Sequence, residues 1–453
     1  MKVKISKSPI LIFVCVIMAL EMRFANIFQL PYLKVYANMT LVAIIITTLL
    51  FLNTIVNNYI YNTLKPYRSQ INIIVLVMTL AIVVITIYSY NKYGQTLFNY
   101  FSCFRVQLYF MLTASIIFIF TKQEGYDYFL KILVVMTIIY VVLCFINSFS
   151  YTFRGRLIWE TLSFGFRKDR LRCQAPFSFV IVVPYVFSKI FTEKLKKDKA
   201  KWLAIFGLFT AFIFYICMTR MLNTAFYAFL AFSIVLIPKS QNLRRTILII
   251  YAIALIILVA TGRLPVLIEY IQSRDENLDD SAQARINSIN YFKTFAAANP
   301  WFSMGYVLPT DDHFKSIFAG PLYTFFFDDI GIMNVYLHYG IVGSIPYVVF
   351  LVRIIYLIIK IYFYNKSEKR LFFLGMMILI AVSQVSLSLF DGQRIMGAIV
   401  LWALCEYEAY ITSPKNKPER NKRISIRRNN ENHTIQLRLD KQRRRSGVQS
   451  DGE

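Results

Sequence analysis

Charge is scarce in this sequence. Asp, Glu, Lys and Arg make up 17% of the 453 residues against 57% hydrophobic, and the mean hydropathy is +0.52. So little polar surface excludes the soluble globular class and marks a polytopic membrane protein. Metal-binding patterns are missing too. The six cysteines, Cys15, Cys103, Cys144, Cys173, Cys217 and Cys405, form no Cys-x-x-Cys pair and fall mostly in or beside apolar runs, as small packing residues do. The three histidines, His313, His338 and His433, have no ligand spacing to one another or to a cysteine, so no metal and no cofactor is expected. The first apolar run lacks a small-residue cleavage pattern, so a removable signal peptide is not expected. No solenoid period and no matched pair of interrupted spans of the inverted-repeat transporter kind is found.

Acid is the scarcer sign, with 25 Asp and Glu against 50 Lys and Arg. In a soluble chain that balance would point to nucleic acid, but here the basic residues sit mostly between apolar runs and read as topology signals, so no nucleic-acid partner is implied. Runs of about 20 apolar residues place helices near 9–27, 40–60, 70–90, 105–121, 128–148, 175–192, 201–219, 222–238, 246–262, 331–359, 370–390 and 394–411. The expectation is an all-α polytopic fold of about twelve transmembrane helices. With the N-terminus inside, every even-numbered connection is basic: Lys65 and Arg68; Lys122; Lys194 to Lys201; Lys239, Arg244 and Arg245; Lys360 to Arg370. Both termini are then cytoplasmic, in a multi-pass cytoplasmic (inner) membrane protein. Residues 1–262 hold nine spans with a basic outside loop at 149–175, residues 263–330 form one large extracytoplasmic loop, and 331–411 hold the last three spans. Residues 412–453 read as a disordered basic tail able to touch membrane lipid.

The outside loop at 149–175 breaks the charge rule, carrying Arg154, Arg156, Arg167, Lys168, Arg170 and Arg172 against Glu160 and Asp169. One account is tolerated surface charge. The other is that Arg170 and Arg172 hold an anionic group near the outer headgroups, because guanidinium stays charged and meets phosphate oxygens two at a time. Arg220, Arg285 and Arg394 fall on the same side of the membrane and would complete a clamp for a pyrophosphate. In the large loop, Asp279 to Asn287 and Tyr291 to Ala298 read as an Asp/Ser-capped helix stopping ahead of Pro300. Asp328 and Asp329 lie at the mouth of the next span, where partial desolvation suits a carboxylate to general-base work. His338 and His313 are the alternative bases.

Four stretches carry a family resemblance: Ala284-Arg285 to Phe295, Asn299-Pro300-Trp301-Phe302-Ser303-Met304-Gly305-Tyr306, Asp328-Asp329 to Tyr336-Leu337, and Tyr339-Gly340-Ile341-Val342-Gly343. Together they resemble the O-antigen polymerase and O-antigen ligase superfamily of bacterial membrane glycosyltransferases. Ligases of that superfamily usually show His-Asn where Asp329 stands here, and an acidic pair at that place is closer to the polysaccharide polymerases. The resemblance implies a GT-C-like multi-span fold and polymerisation of an undecaprenyl-pyrophosphate-linked oligosaccharide into O-antigen, capsule or exopolysaccharide at the cell surface. Arg285, Asp328 and Asp329 would be catalytic, without metal or nucleotide sugar, and a chain-length regulator and a flippase would be partners. Ligase-like glycan transfer and a lipid-linked oligosaccharide flippase are the alternatives.

Overall fold

The computed structural model describes residues 65–121, 125–159, 165–167, 170–176, 178–193, 195–236, 276–321, 323–325, 327, 330–364, 369–384, 390 and 394–413. Helix accounts for 83% of them, in keeping with an all-α membrane protein. In chain order the helices are α1 (Lys65–Tyr93), α2 (Leu97–Phe104), a 3-10 stretch Arg105–Met111, α3 (Leu112–Thr121) and α4 (Gly125–Arg154). There follow α5 (Ser178–Thr192), α6 (Lys196–Ala211) with a π-helical continuation Phe212–Cys217, and α7 (Arg220–Leu236). The last are α8 (Glu276–Ala298), α9 (Asp312–Ala319), α10 (Met333–Tyr364), α11 (Lys369–Ser383) and α12 (Ile395–Thr412).

The helices show why they belong in lipid. On α1, Ile71, Ile74, Met78, Ile82 and Ile85 are buried, and the opposite stripe, Ile73, Leu76, Leu80, Val84 and Ile87, is exposed yet equally apolar. A helix in water carries charge on its outer stripe, and this one does not. Among the described residues five helices are long and apolar enough to cross a membrane: Ile71–Tyr93, Gly125–Arg154, Lys196–Cys217, Met333–Tyr364 and Ile395–Thr412. The expected span at 105–121 starts at a bend, because α2 and the segment Gln107–Thr121 meet at 53° around Arg105, a pair that makes a sixth crossing if counted as one. Helices α5, α7 and α11 fall at expected spans but run to 15, 17 and 15 residues. The expected spans near 9–27, 40–60 and 246–262 lie outside the described residues, as does the tail from 414.

Helix α12 is the axis of the bundle. Within its crossing window 89% of residues are buried, and Trp402 is the largest fully buried side chain. It packs on α3 and α10, and a second layer forms as α11 packs on α5 and α7, and α5 on α6. Two features depart from the sequence reading. The outside connection after α4 contains a small antiparallel hairpin, β1 (Gly165–Arg167) and β2 (Arg170–Arg172), whose local hydrogen bonding hydropathy cannot register. Helix α8 starts at Glu276, so Asp279 to Ser281 lie inside its first turns and not at its cap.

Candidate functional site

The described residues between 276 and 330 form a cap with its own small core. Phe292 and Ala296 of α8, Met304, Val307, Phe327, Ile330 and Leu337 are buried together, fringed by Tyr291, Phe295, Phe314 and Phe318. Tyr291 donates from Oη to the carbonyls of Ser316 and Ile317 at 2.9 and 3.0 Å, tying α8 to α9, and burial pushes its phenol above the usual value. Of the loop acids whose side chains are described, Asp311 caps α9 by accepting from Phe314 N–H at 3.0 Å, and exposed Asp312 meets Lys315 at 3.4 Å.

The cap is joined to the bundle at Gly340, which breaks α10 with φ 65° and ψ −163°. The turn Asn299 to Ser303 sits in that break. Asn299 Oδ1 accepts from the Trp301 and Phe302 amides, Ser303 is held in a left-handed conformation (φ 50°), and its hydroxyl donates to Leu337 O at 2.5 Å. The Pro300 and Trp301 carbonyls then accept the Ile341 and Val342 amides at 2.9 and 3.0 Å, satisfying donors that start the second half of α10. A Cβ on Gly340 would lie 2.5 Å from the Trp301 carbonyl carbon and oxygen. Gly340→Ala is therefore expected to destabilise the chain by about 2 kcal/mol or more, combining a positive φ with a backbone clash. The readout is the melting temperature of purified protein, and an unshifted melt would remove this seam from the account.

The other side of the same turn rests on α1 and α2. Tyr88 stacks on Phe302 at 4.5 Å, Tyr93 donates to Met304 O at 2.8 Å, and Lys92 donates to Tyr88 Oη at 3.0 Å. Gly305 (φ 79°) packs against Ser89, whose hydroxyl accepts the Tyr306 amide at 2.8 Å. Gln95 takes both backbone groups of Leu308, at 2.8 and 3.0 Å. Tyr306, kept neutral by burial that raises its phenol, donates to Gln107 Oε1 at 2.8 Å.

Two buried side-chain nitrogens at the cap have no hydrogen bond among the described residues. Arg285 lies on the face of α8 that carries buried Ser288, Phe292 and Ala296, and its Nε is buried without a hydrogen bond. His338 stacks between Phe327 at 4.3 Å and Tyr339 at 4.0 Å, with Nε2 buried and unbonded. His313 is exposed on α9 against Phe314, away from that ladder. Asp328 and Asp329 lie outside the described residues. Trp301, Tyr323 and Tyr336 are exposed around the cap.

The remaining arginines are distributed. Arg172 has Nε on Cys217 O at 3.1 Å and Nη2 on Thr219 Oγ1 at 3.2 Å, so it pins β2 to the end of the π-helical turn, where Met218 is left-handed (φ 47°). The hairpin register pairs Arg167 with Arg170, so Arg167, Arg170 and Arg172 occupy positions of one face, opposite Phe166 and Leu171. Arg220 begins α7 directly after Thr219, and Arg394 caps α12. Cys144, Cys173, Cys217 and Cys405 are buried free thiols, Cys103 is half-buried, and Cys15 lies outside the described residues. Among the described residues no group of three or more His, Cys, Asp or Glu is arranged to hold a metal.

Hydropathy reading missed a charged layer at the opposite end of the bundle. Arg353 of α10 forks onto Glu406 of α12 at 2.7 and 2.9 Å, Trp402 Nε1 adds a bond to Glu406 at 3.0 Å, and Lys369 grips Glu408 at 2.6 Å. Two acids inside an apolar run, Cys405-Glu406-Tyr407-Glu408, were the available signal. No protein-family model matches this chain, and no curated protein matches it.

Proposed function

We propose that this chain is a metal-independent membrane glycosyltransferase that polymerises undecaprenyl-pyrophosphate-linked repeat units on the outer face of a bacterial cytoplasmic membrane. The full arrangement would have about twelve spans, both termini cytoplasmic and the cap outside. The observation that carries the reading is the seat of the Asn299 to Tyr306 turn in the Gly340 break, with Arg285 unpaired in the same cap. Two of the stretches that resemble the superfamily, Asn299 to Tyr306 and Tyr339 to Gly343, pack on each other at that break, which supports the reading.

The reaction follows from those groups. An acceptor sugar hydroxyl attacks the donor's anomeric carbon, the new C–O bond forms, and the bond to the lipid pyrophosphate breaks with its electron pair leaving on phosphate oxygen. That leaving group is already a weak base, so charge stabilisation matters more than protonation, and Arg285 with Arg170, Arg220 and Arg394 would supply it, while two nitrogens of Arg172 are engaged by Cys217 and Thr219. The hydroxyl proton passes to Asp329 or Asp328, with His338 Nε2 as the alternative acceptor.

The test is a gel of surface polysaccharide and lipid-linked intermediates from a deletion strain and its complemented parent. Single repeat units on lipid without a ladder are expected on deletion. Full-length polymer stranded on its carrier would replace polymerase by ligase. Repeat units trapped on the cytoplasmic face would make the chain a flippase, a reading favoured by the buried Glu406 and Glu408 pairs, since charge buried between spans marks transport pathways.

A further inference from the structure

The bend between α2 and the segment Gln107–Thr121 leaves one cation in an exceptional position. Arg105 begins the 3-10 stretch, where its backbone N–H closes α2 on Phe101 O, and the chain bends by 53° around it. Short 3-10 segments inside an apolar helix recur at functional breaks. The side chain is half-buried, its Nε is sealed from solvent, and no hydrogen bond or ion pair reaches it among the described residues.

Its neighbours cannot serve as the counter-charge. Cys103 is a thiol, Phe104 packs on Tyr306 at 5.9 Å, and the Gln107 carbonyl oxygen is occupied by the Tyr306 hydroxyl. Tyr306 is in turn fixed by Ser89, so the residues on either side of Arg105 are locked to the turn that seats the cap. A guanidinium stays charged at every accessible pH and is costly to leave alone in apolar surroundings. Arg172, Arg220, Arg285 and Arg394 lie on other elements, so Arg105 is a separate cation.

We propose that Arg105 is a binding residue for the phosphoryl headgroup of a lipid. In a membrane the abundant anions able to take a planar fork of donors are lipid phosphates. The shared chemistry has two sources, a lipid-linked pyrophosphate donor or a resident anionic phospholipid, and only the first rests on the function proposed above.

The full chain in nanodiscs provides the test. Polyprenyl pyrophosphate, the probe, is titrated against wild type, Arg105→Ala and Arg105→Lys in phosphatidylcholine discs. Arg105→Ala is expected to bind at least about tenfold more weakly, with Arg105→Lys between the two. Should the alanine variant fail to fold, phenylglyoxal labelling of wild type read by mass spectrometry gives the same answer, with Arg105 protected when the lipid is present. Protection by polyprenyl pyrophosphate assigns the donor, and protection by phosphatidylglycerol discs alone assigns a resident phospholipid. Equal labelling of Arg105 in all three conditions, with unchanged binding in Arg105→Ala, would overturn the proposal. Neither readout needs turnover, so a chain that makes no polymer still reports on Arg105.

Discussion

Arg353→Ala is expected to destabilise the bundle by roughly 3–5 kcal/mol, because it strands Glu406 in the most buried helix. Glu406 is 4% exposed and its carboxylate accepts three bonds, two from the Arg353 fork and one from Trp402 Nε1. Removing the cation leaves an indole N–H as the one remaining partner among the described residues for a full negative charge. The effect is a property of the missing partner and not of the pair's net worth, so replacing both residues, Arg353→Leu with Glu406→Leu, should recover much of the loss. Thermal melting of the three proteins by size-exclusion survival decides the matter. A single variant as stable as wild type would mean that the charge is met by another group. A double variant that is stable but inactive would turn the layer from a structural clasp into part of a transport path.

That layer also marks where hydropathy stops being informative. The long apolar helices were legible: the windows at 70–90, 128–148, 201–219, 331–359 and 394–411 correspond to α1, α4, α6 with its π-helical extension, α10 and α12. Their apolar residues run round the whole helix, a pattern that only lipid or a large core tolerates. The break at Arg105 was not legible, because a 3-10 stretch and an α-helix of the same residues have the same mean hydropathy. Nor was the hairpin, where Gly165 and Arg172 face each other through backbone bonds that side-chain patterning does not encode over three residues. In the cap, the end of α8 before Asn299-Pro300 was readable from local stereochemistry. Its core was not, since the ladder of Phe292, Phe327, His338 and Tyr339 is assembled from residues up to 47 positions apart. The same nonlocality explains Arg172. Its spacing from Arg170 suggested a phosphate fork, but two of its nitrogens are engaged by Cys217 and Thr219 of a distant turn.

On the polymerase function proposed above, Arg285→Ala is expected to remove chain extension, a loss of about 10²–10³ in rate, while leaving the protein at least as stable as wild type. The two halves have one cause. Arg285 sits on the buried face of α8, yet its Nε has no hydrogen bond among the described residues. A buried donor without a partner adds no hydrogen bond to the fold and carries a desolvation penalty, so truncation takes away no bond and relieves that penalty. Stability withheld at such a position is the usual mark of a group kept for a ligand. The developing charge on a departing pyrophosphate would be that ligand, with the fork making its full complement of bonds only when the sugar–phosphate bond is breaking. Arg285→Lys keeps the charge but loses the fork and should fall between the two. Two measurements separate catalysis from packing: the polysaccharide ladder in complemented cells, and the melting temperature of the purified variant. A vanished ladder with an unchanged or raised melt supports the assignment. A normal ladder removes Arg285 from the chemistry, and a lowered melt with normal activity per folded molecule would make it a strut between α8 and α10.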